Sequence, residues 1–138
     1  MIETGSQQIT PALSLSWQHE GKTVVFIWQN VSRDTVDAYE QAYLNILDQL
    51  PPNQKVINQM NVVQFPGFAM TPYLRKAVEN IAKTTQQREF HGKVAIVMNR
   101  TLNTIPMELF IRAMSVFVRD TTTRVFLNTD DALAWLGN

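Results

Sequence analysis

Lys93-Val94-Ala95-Ile96-Val97-Met98 decides how the rest of the chain is read. A glycine precedes this stretch and a polar segment follows it, with a continuous apolar run rich in β-branched residues between them. A run this short and this apolar is the pattern of a strand covered on both faces. Such strands lie inside parallel sheets, and a parallel sheet needs long crossover connections, usually helical, to bring the chain back to the same edge. Helices are therefore expected on either side of residues 93–98, and the flanking sequence supplies them.

Upstream, Thr71-Pro72 offers a hydroxyl N-cap followed by proline at the first helical position. Leu74, Ala77, Val78, Ile81 and Ala82 then recur at helical spacing. Arg75, Glu79 and Lys83 step along the opposite face, which places Glu79 to pair with Lys83. Val56 to Val63 reads as a strand interrupted by the amides Asn58, Gln59 and Asn61. Before it, capping residues at Asn30 to Asp34 open a helix with the apolar face Val36, Tyr39, Tyr43, Leu47 and Leu50, which Pro51-Pro52 stops. Ala12 to Trp17 alternates, Thr23 to Trp28 is apolar, and His19-Glu20-Gly21 between them predicts a β-hairpin. Residues 1–10 are polar and aperiodic and read as a flexible N-terminal tail.

Downstream, Asn99 to Thr104 is polar, and a third helix is expected from near Pro106. Its apolar residues from Met107 to Val118 wrap most of the circumference, more than one core-facing stripe needs. Arg124 to Leu127 is a short last strand, and Thr129-Asp130-Asp131 is expected to cap a final helix carrying Leu133, Trp135 and Leu136. The order is ββαβαβαβα. The expected fold is one α/β domain over residues 11–138, with a mixed, mostly parallel sheet and helices packed on it.

Composition narrows the function. The chain has 138 residues and no cysteine, which excludes disulfides, thiolate metal sites and Cys nucleophiles and suits a cytoplasmic location. Lys+Arg and Asp+Glu both number 12, and a zero net charge argues against nucleic-acid binding. Charged residues make up only 17%, and low charge without net charge favours self-association. The N-terminus does not read as a signal peptide, and no apolar run approaches the roughly 20 residues of a membrane span. His19 and His91 stand apart from other ligand types, and the glycines are too scattered for a phosphate loop. No catalytic residue, cofactor or metal is expected.

The segment Arg124-Val-Phe-Leu-Asn-Thr-Asp-Asp-Ala-Leu-Ala-Trp-Leu136, with the strand Val94 to Met98 and the proline-stopped first helix, resembles the STAS/SEC14-like domains, relatives of the anti-sigma-factor antagonists. The resemblance covers roughly residues 12–137. It implies a STAS-like α/β fold and a role in protein–protein switching or in small-ligand or lipid binding, without enzymatic activity. Family members that switch by phosphorylation carry an acidic-Ser pair at the start of the second helix. Here that neighbourhood reads Ala69-Met70-Thr71-Pro72, with Thr71 as the one hydroxyl, and Asn58 stands where an aspartate often ends the strand.

Ligands of open α/β sheets bind beyond the carboxyl ends of the strands. Four polar segments are expected there: Gln29-Asn30 with Ser32-Arg33, Asn58 to Asn61, Asn99 to Thr104, and Asn128-Thr129. Asn99, Arg100 and Thr104 form a candidate anion or polar crevice; Thr71 is a phospho-acceptor candidate whose alternative role is a helix cap. The apolar loop Phe65, Phe68 and Met70 is expected to join Phe110, Met114 and Phe117 of the third helix in a ligand or partner surface. The expected function is a non-enzymatic regulatory or protein-interaction module, as a homodimer or with another protein. The alternative is a carrier or sensor of a small apolar ligand or lipid.

Overall fold

The structure, a computed structural model, describes residues 6–66, 68, 71–98 and 121–138. The strands are β1 (Gln7–Thr10), β2 (Leu13–Gln18), β3 (Thr23–Trp28), β4 (Asn58–Val63), β5 (Gly92–Val97) and β6 (Thr121–Phe126). The helices are α1 (Arg33–Gln49), α2 (Pro72–Gln87) and α3 (Thr129–Leu136). The strands form one sheet in the order β1-β2-β3-β4-β5-β6, antiparallel from β1 to β3 and parallel from β3 to β6. The α/β class and the mixed, mostly parallel sheet are as expected. The decisive run lies inside the sheet, with β4 on one side and β6 on the other. The third helix expected near Pro106 lies outside the described residues.

Gln7–Thr10 differs from expectation. These residues form a strand instead of a tail, paired with β2 through Gln7↔Leu15 and Thr10↔Leu13, with a bulge between Gln8 and Thr10. An edge strand is held chiefly by backbone bonds; Gln7 and Gln8 stay exposed while Ile9 packs partly on the core, so the sequence need not alternate.

Strand parity sorts the two faces. Leu13, Leu15, Val24, Phe26 and Trp28 pack with Val36, Tyr39 and Tyr43 of α1 and with Leu74, Ala77 and Ile81 of α2. Phe26 and Trp28 meet the Tyr39 ring at 4.9 and 4.7 Å. Val25, Met60, Val62, Ala95 and Val97 face the other way, onto Ala132 and Leu136 of α3. Fully burying one such aliphatic side chain contributes about 1.5–3 kcal/mol. Among the described residues, no helix is long and apolar enough to cross a membrane.

Local chemistry sets the helix limits. The Ser32 side chain accepts from Thr35 N, and Thr71 does the same for Leu74 N. For α3 the cap is Asn128, one residue earlier than expected. Its extended backbone lets Oδ1 accept from Asp131 N at 2.8 Å, while Thr129 lies inside the helix. Solvent-side contacts tie α1 to α2: Tyr73 donates to Asp37, Asn80 to Glu40 and Arg88 to Asp48. Glu79 has a basic residue one turn away on each side and pairs with Arg75 at 3.2 Å in place of Lys83.

The β2–β3 hairpin turns through three successive left-handed residues, His19 (φ 53°), Glu20 (φ 57°) and Gly21 (φ 85°). Glycine takes this conformation freely; a side chain there costs about 1–2 kcal/mol. The His19 ring is held by a 2.7 Å hydrogen bond to the fully buried Thr23. At the start of β5 the backbones of Gly92 and Ile57 touch, and a Cβ at position 92 would lie 2.0 Å from the Ile57 carbonyl oxygen.

Two stability changes follow, both measurable by urea denaturation. Gly92→Ala must push two backbone segments apart and should lose about 3 kcal/mol or more. Glu20→Gly relieves the left-handed turn and should gain about 0.5–1 kcal/mol.

Candidate functional site: the cleft beyond β4, β5 and β6

The strand order never reverses, so a crevice has to arise in another way. The chain leaves β4 toward the face that carries α2 and leaves β6 toward the face that carries α3. Connections that depart to opposite faces open a gap at the carboxyl ends of the strands between them. Here the gap is a cavity of about 490 Å³ above the end of β5. Val63, Gln64, Phe65 and Pro66 form one wall, Val97 and Met98 the floor, and Leu127, Asn128 and Thr129 the other wall.

None of these nine residues is charged. Met98 is buried, and Leu127 stands 50% exposed at the rim, unusual for a large aliphatic residue. Phe65 packs against Phe68 with ring centroids 5.7 Å apart. Gln64 Oε1 accepts from Gln29 Nε2 at 2.7 Å. Asn128 is committed to its own helix, since its Oδ1 caps α3 and its Nδ2 donates to Asp131 at 3.0 Å. The lining thus offers apolar surface and a few amide and hydroxyl groups.

The predicted site residues fare unevenly. Phe65 and Phe68 come together, half-buried, with Phe65 on the cleft wall. Met70, Phe110, Met114 and Phe117, and the crevice residues Asn99, Arg100 and Thr104, lie outside the described residues. Thr71 Oγ1 accepts from Leu74 N at 3.1 Å, the capping role. Asn30 and Ser32 bond within the α1 entry turn. Asn128 and Thr129 do line the cleft. Leu127 and Met98 were missed as site residues. The available signal was an apolar residue placed between a strand end and a helix cap.

Asn58 to Asn61 need correcting. Asn58 opens β4 and so lies at the amino edge of the sheet, opposite the cleft. Its Nδ2 donates to the Leu136 carbonyl at 3.1 Å and its Oδ1 accepts from Lys93 N at 2.8 Å. Lys93 Nζ completes that anchor by donating to the carbonyls of Trp135 and Asn138 at 2.9 and 2.8 Å. Gln59 and Asn61 turn to the other face. Trp28 Nε1 donates to Asn61 Oδ1 at 3.1 Å. Asn61 Nδ2 and the Tyr39 hydroxyl both donate to Gln59 Oε1 at 2.9 Å.

Burial pushes the Tyr39 phenol far above its ordinary range; the neighbouring Tyr43 adds to this and the Gln59 hydrogen bond only partly offsets it. Burial likewise raises Tyr43. The unfolded chain releases both protons above about pH 10, whereas the folded chain keeps them, so stability must fall as pH rises past that point. The expected slope is about 1.4 kcal/mol per pH unit for each tyrosine. Tyr43→Phe should remove one such contribution when urea unfolding is compared between pH 9 and 11 or so; an unchanged slope would mean that Tyr43 ionises in the folded protein.

No family model matches the chain, and no curated protein or solved structure shows significant similarity to it.

Proposed function

We propose that the chain is a non-enzymatic regulatory module of the STAS-like kind, working through a binding event at the carboxyl ends of β4, β5 and β6. One observation carries this reading: the cleft there is walled by Phe65, Pro66 and Leu127, and none of its lining residues among those described is charged. Proton transfer and nucleophilic catalysis depend on titratable groups tuned by their surroundings. The described lining supplies shape instead, with polar and apolar surface in near-equal measure. The exposed Leu127 and the absence of net charge favour a second copy of the chain as the partner, in a cytoplasmic setting.

The cavity itself favours a second reading, a carrier or sensor of a small apolar ligand. Its volume falls within the range of about 300–1,000 Å³ usual for small-molecule sites.

Native mass spectrometry of the freshly purified chain separates the two. The module reading expects a dimer, and Leu127→Asp, at an exposed position, should weaken it roughly tenfold or more. The carrier reading expects a monomer that retains a small molecule. A bare monomer that binds no apolar probe contradicts both.

A further inference from the structure

Resting on the module reading, we infer that the second copy docks on α3 and β6 about a two-fold axis, with the two α3 helices antiparallel, so that Asp131 of each protomer meets Arg124 and Trp135 of its partner. The surface of α3 that the sheet leaves uncovered holds both halves of such a contact.

Helix α3 buries Ala132 and Leu136 against the sheet. Asp130, Asp131 and Ala134 lie on its other sides and are exposed. Two carboxylates therefore stand in the first turn. One turn further on, Trp135 shares a side of the helix with Asp131 and is half-buried, with the Phe126 ring 5.4 Å away. Arg124 is exposed, and its Cζ lies 5.3 Å from the Phe126 ring centroid and 5.6 Å from that of Trp135. Lys93 Nζ, 5.3 Å from the Trp135 ring, adds a second positive charge. One short helix and the strand before it thus carry an anionic end and a cationic, aromatic end.

A two-fold contact uses the same patch on both protomers, so each pairing occurs twice. With the helices antiparallel, the anionic end of each protomer falls on the cationic end of its partner. With the helices parallel, carboxylates would face carboxylates, which is costly at an interface. Trp and Arg are the residue types that most often dominate binding energy, and a guanidinium can meet a carboxylate through two parallel hydrogen bonds. Ala134, between the two ends, offers only a methyl group and lets the helices approach closely.

Charge exchange tests the contact, by sedimentation velocity of the full chain over a concentration series with circular dichroism to confirm the fold. Arg124→Glu and Asp131→Lys should each weaken the dimer roughly tenfold or more, because each sets like charges against one another at two places. Mixing the two single variants should restore dimerisation, since both pairings across a mixed dimer are again between opposite charges. The double variant should recover likewise, with the signs exchanged. A dimer that neither reversal moves, yet that Leu127→Asp still weakens, overturns the α3 contact and leaves the module reading intact. Weakened variants that stay apart on mixing overturn the contact too, as does capture of a different acidic protein in place of a second copy. An unmodified chain that is monomeric at every concentration overturns both readings.

Discussion

A buried amide must find partners for its donors and its acceptor, and β4 carries two such residues, Asn58 and Gln59, with the half-buried Asn61 close behind. That requirement organises the molecule. On one face, Gln59 and Asn61 draw in Tyr39 of α1 and Trp28 of β3. On the other, Asn58 holds the Leu136 carbonyl at the end of α3 and the Lys93 amide of β5. An unmet amide in such a place costs about 1–3 kcal/mol, more than the net gain of a typical hydrogen bond. Small displacements of α1 or α3 are therefore penalised. Apolar contacts tolerate sliding; these bonds specify where each helix sits.

The carboxyl edge is built on a different principle. There the chain departs from β4 and β6 to opposite faces, and the cleft is the space that divergence leaves above β5. It is bounded by residues whose backbones serve the fold: Gln64 N bonds to Trp28 O, Met98 N to Phe126 O, and Asn128 caps α3. Backbone hydrogen bonds brace these strand ends, and the described lining residues carry no charge. Such an arrangement suits recognition by shape, since each wall belongs to a strand end fixed by its neighbour.

Much of this was legible in the residues because it is local. Thr71-Pro72 is a local helix start, and the run at 93–98 reads as a strand in the interior of the sheet. Gln7–Thr10 escaped detection because an edge strand owes its place largely to the backbone of β2, and a single apolar residue, Ile9, leaves no pattern to read. The amides of β4 misled for a related reason. A buried, fully bonded asparagine and an asparagine in a turn look alike until the partner is known, and the partners lie 20 to 78 residues away. The cleft was half visible. Asn128-Thr129 and Phe65 could be named, but the pairing of the 63–66 wall with the 127–129 wall depends on which face each helix takes, and periodicity does not encode that choice.

The β1 border of the sheet is built in a way that bears on growth. At the β1 side the border is four residues long, broken by a bulge and followed at once by Pro11. Each of these features discourages an incoming strand from another molecule. A protein with little charge and no net charge has weak electrostatic protection against runaway stacking, and here steric interruption takes over that duty along one margin. The irregular first strand thus acts as a terminator, ending the hydrogen-bonded array where an unbroken ribbon would invite extension.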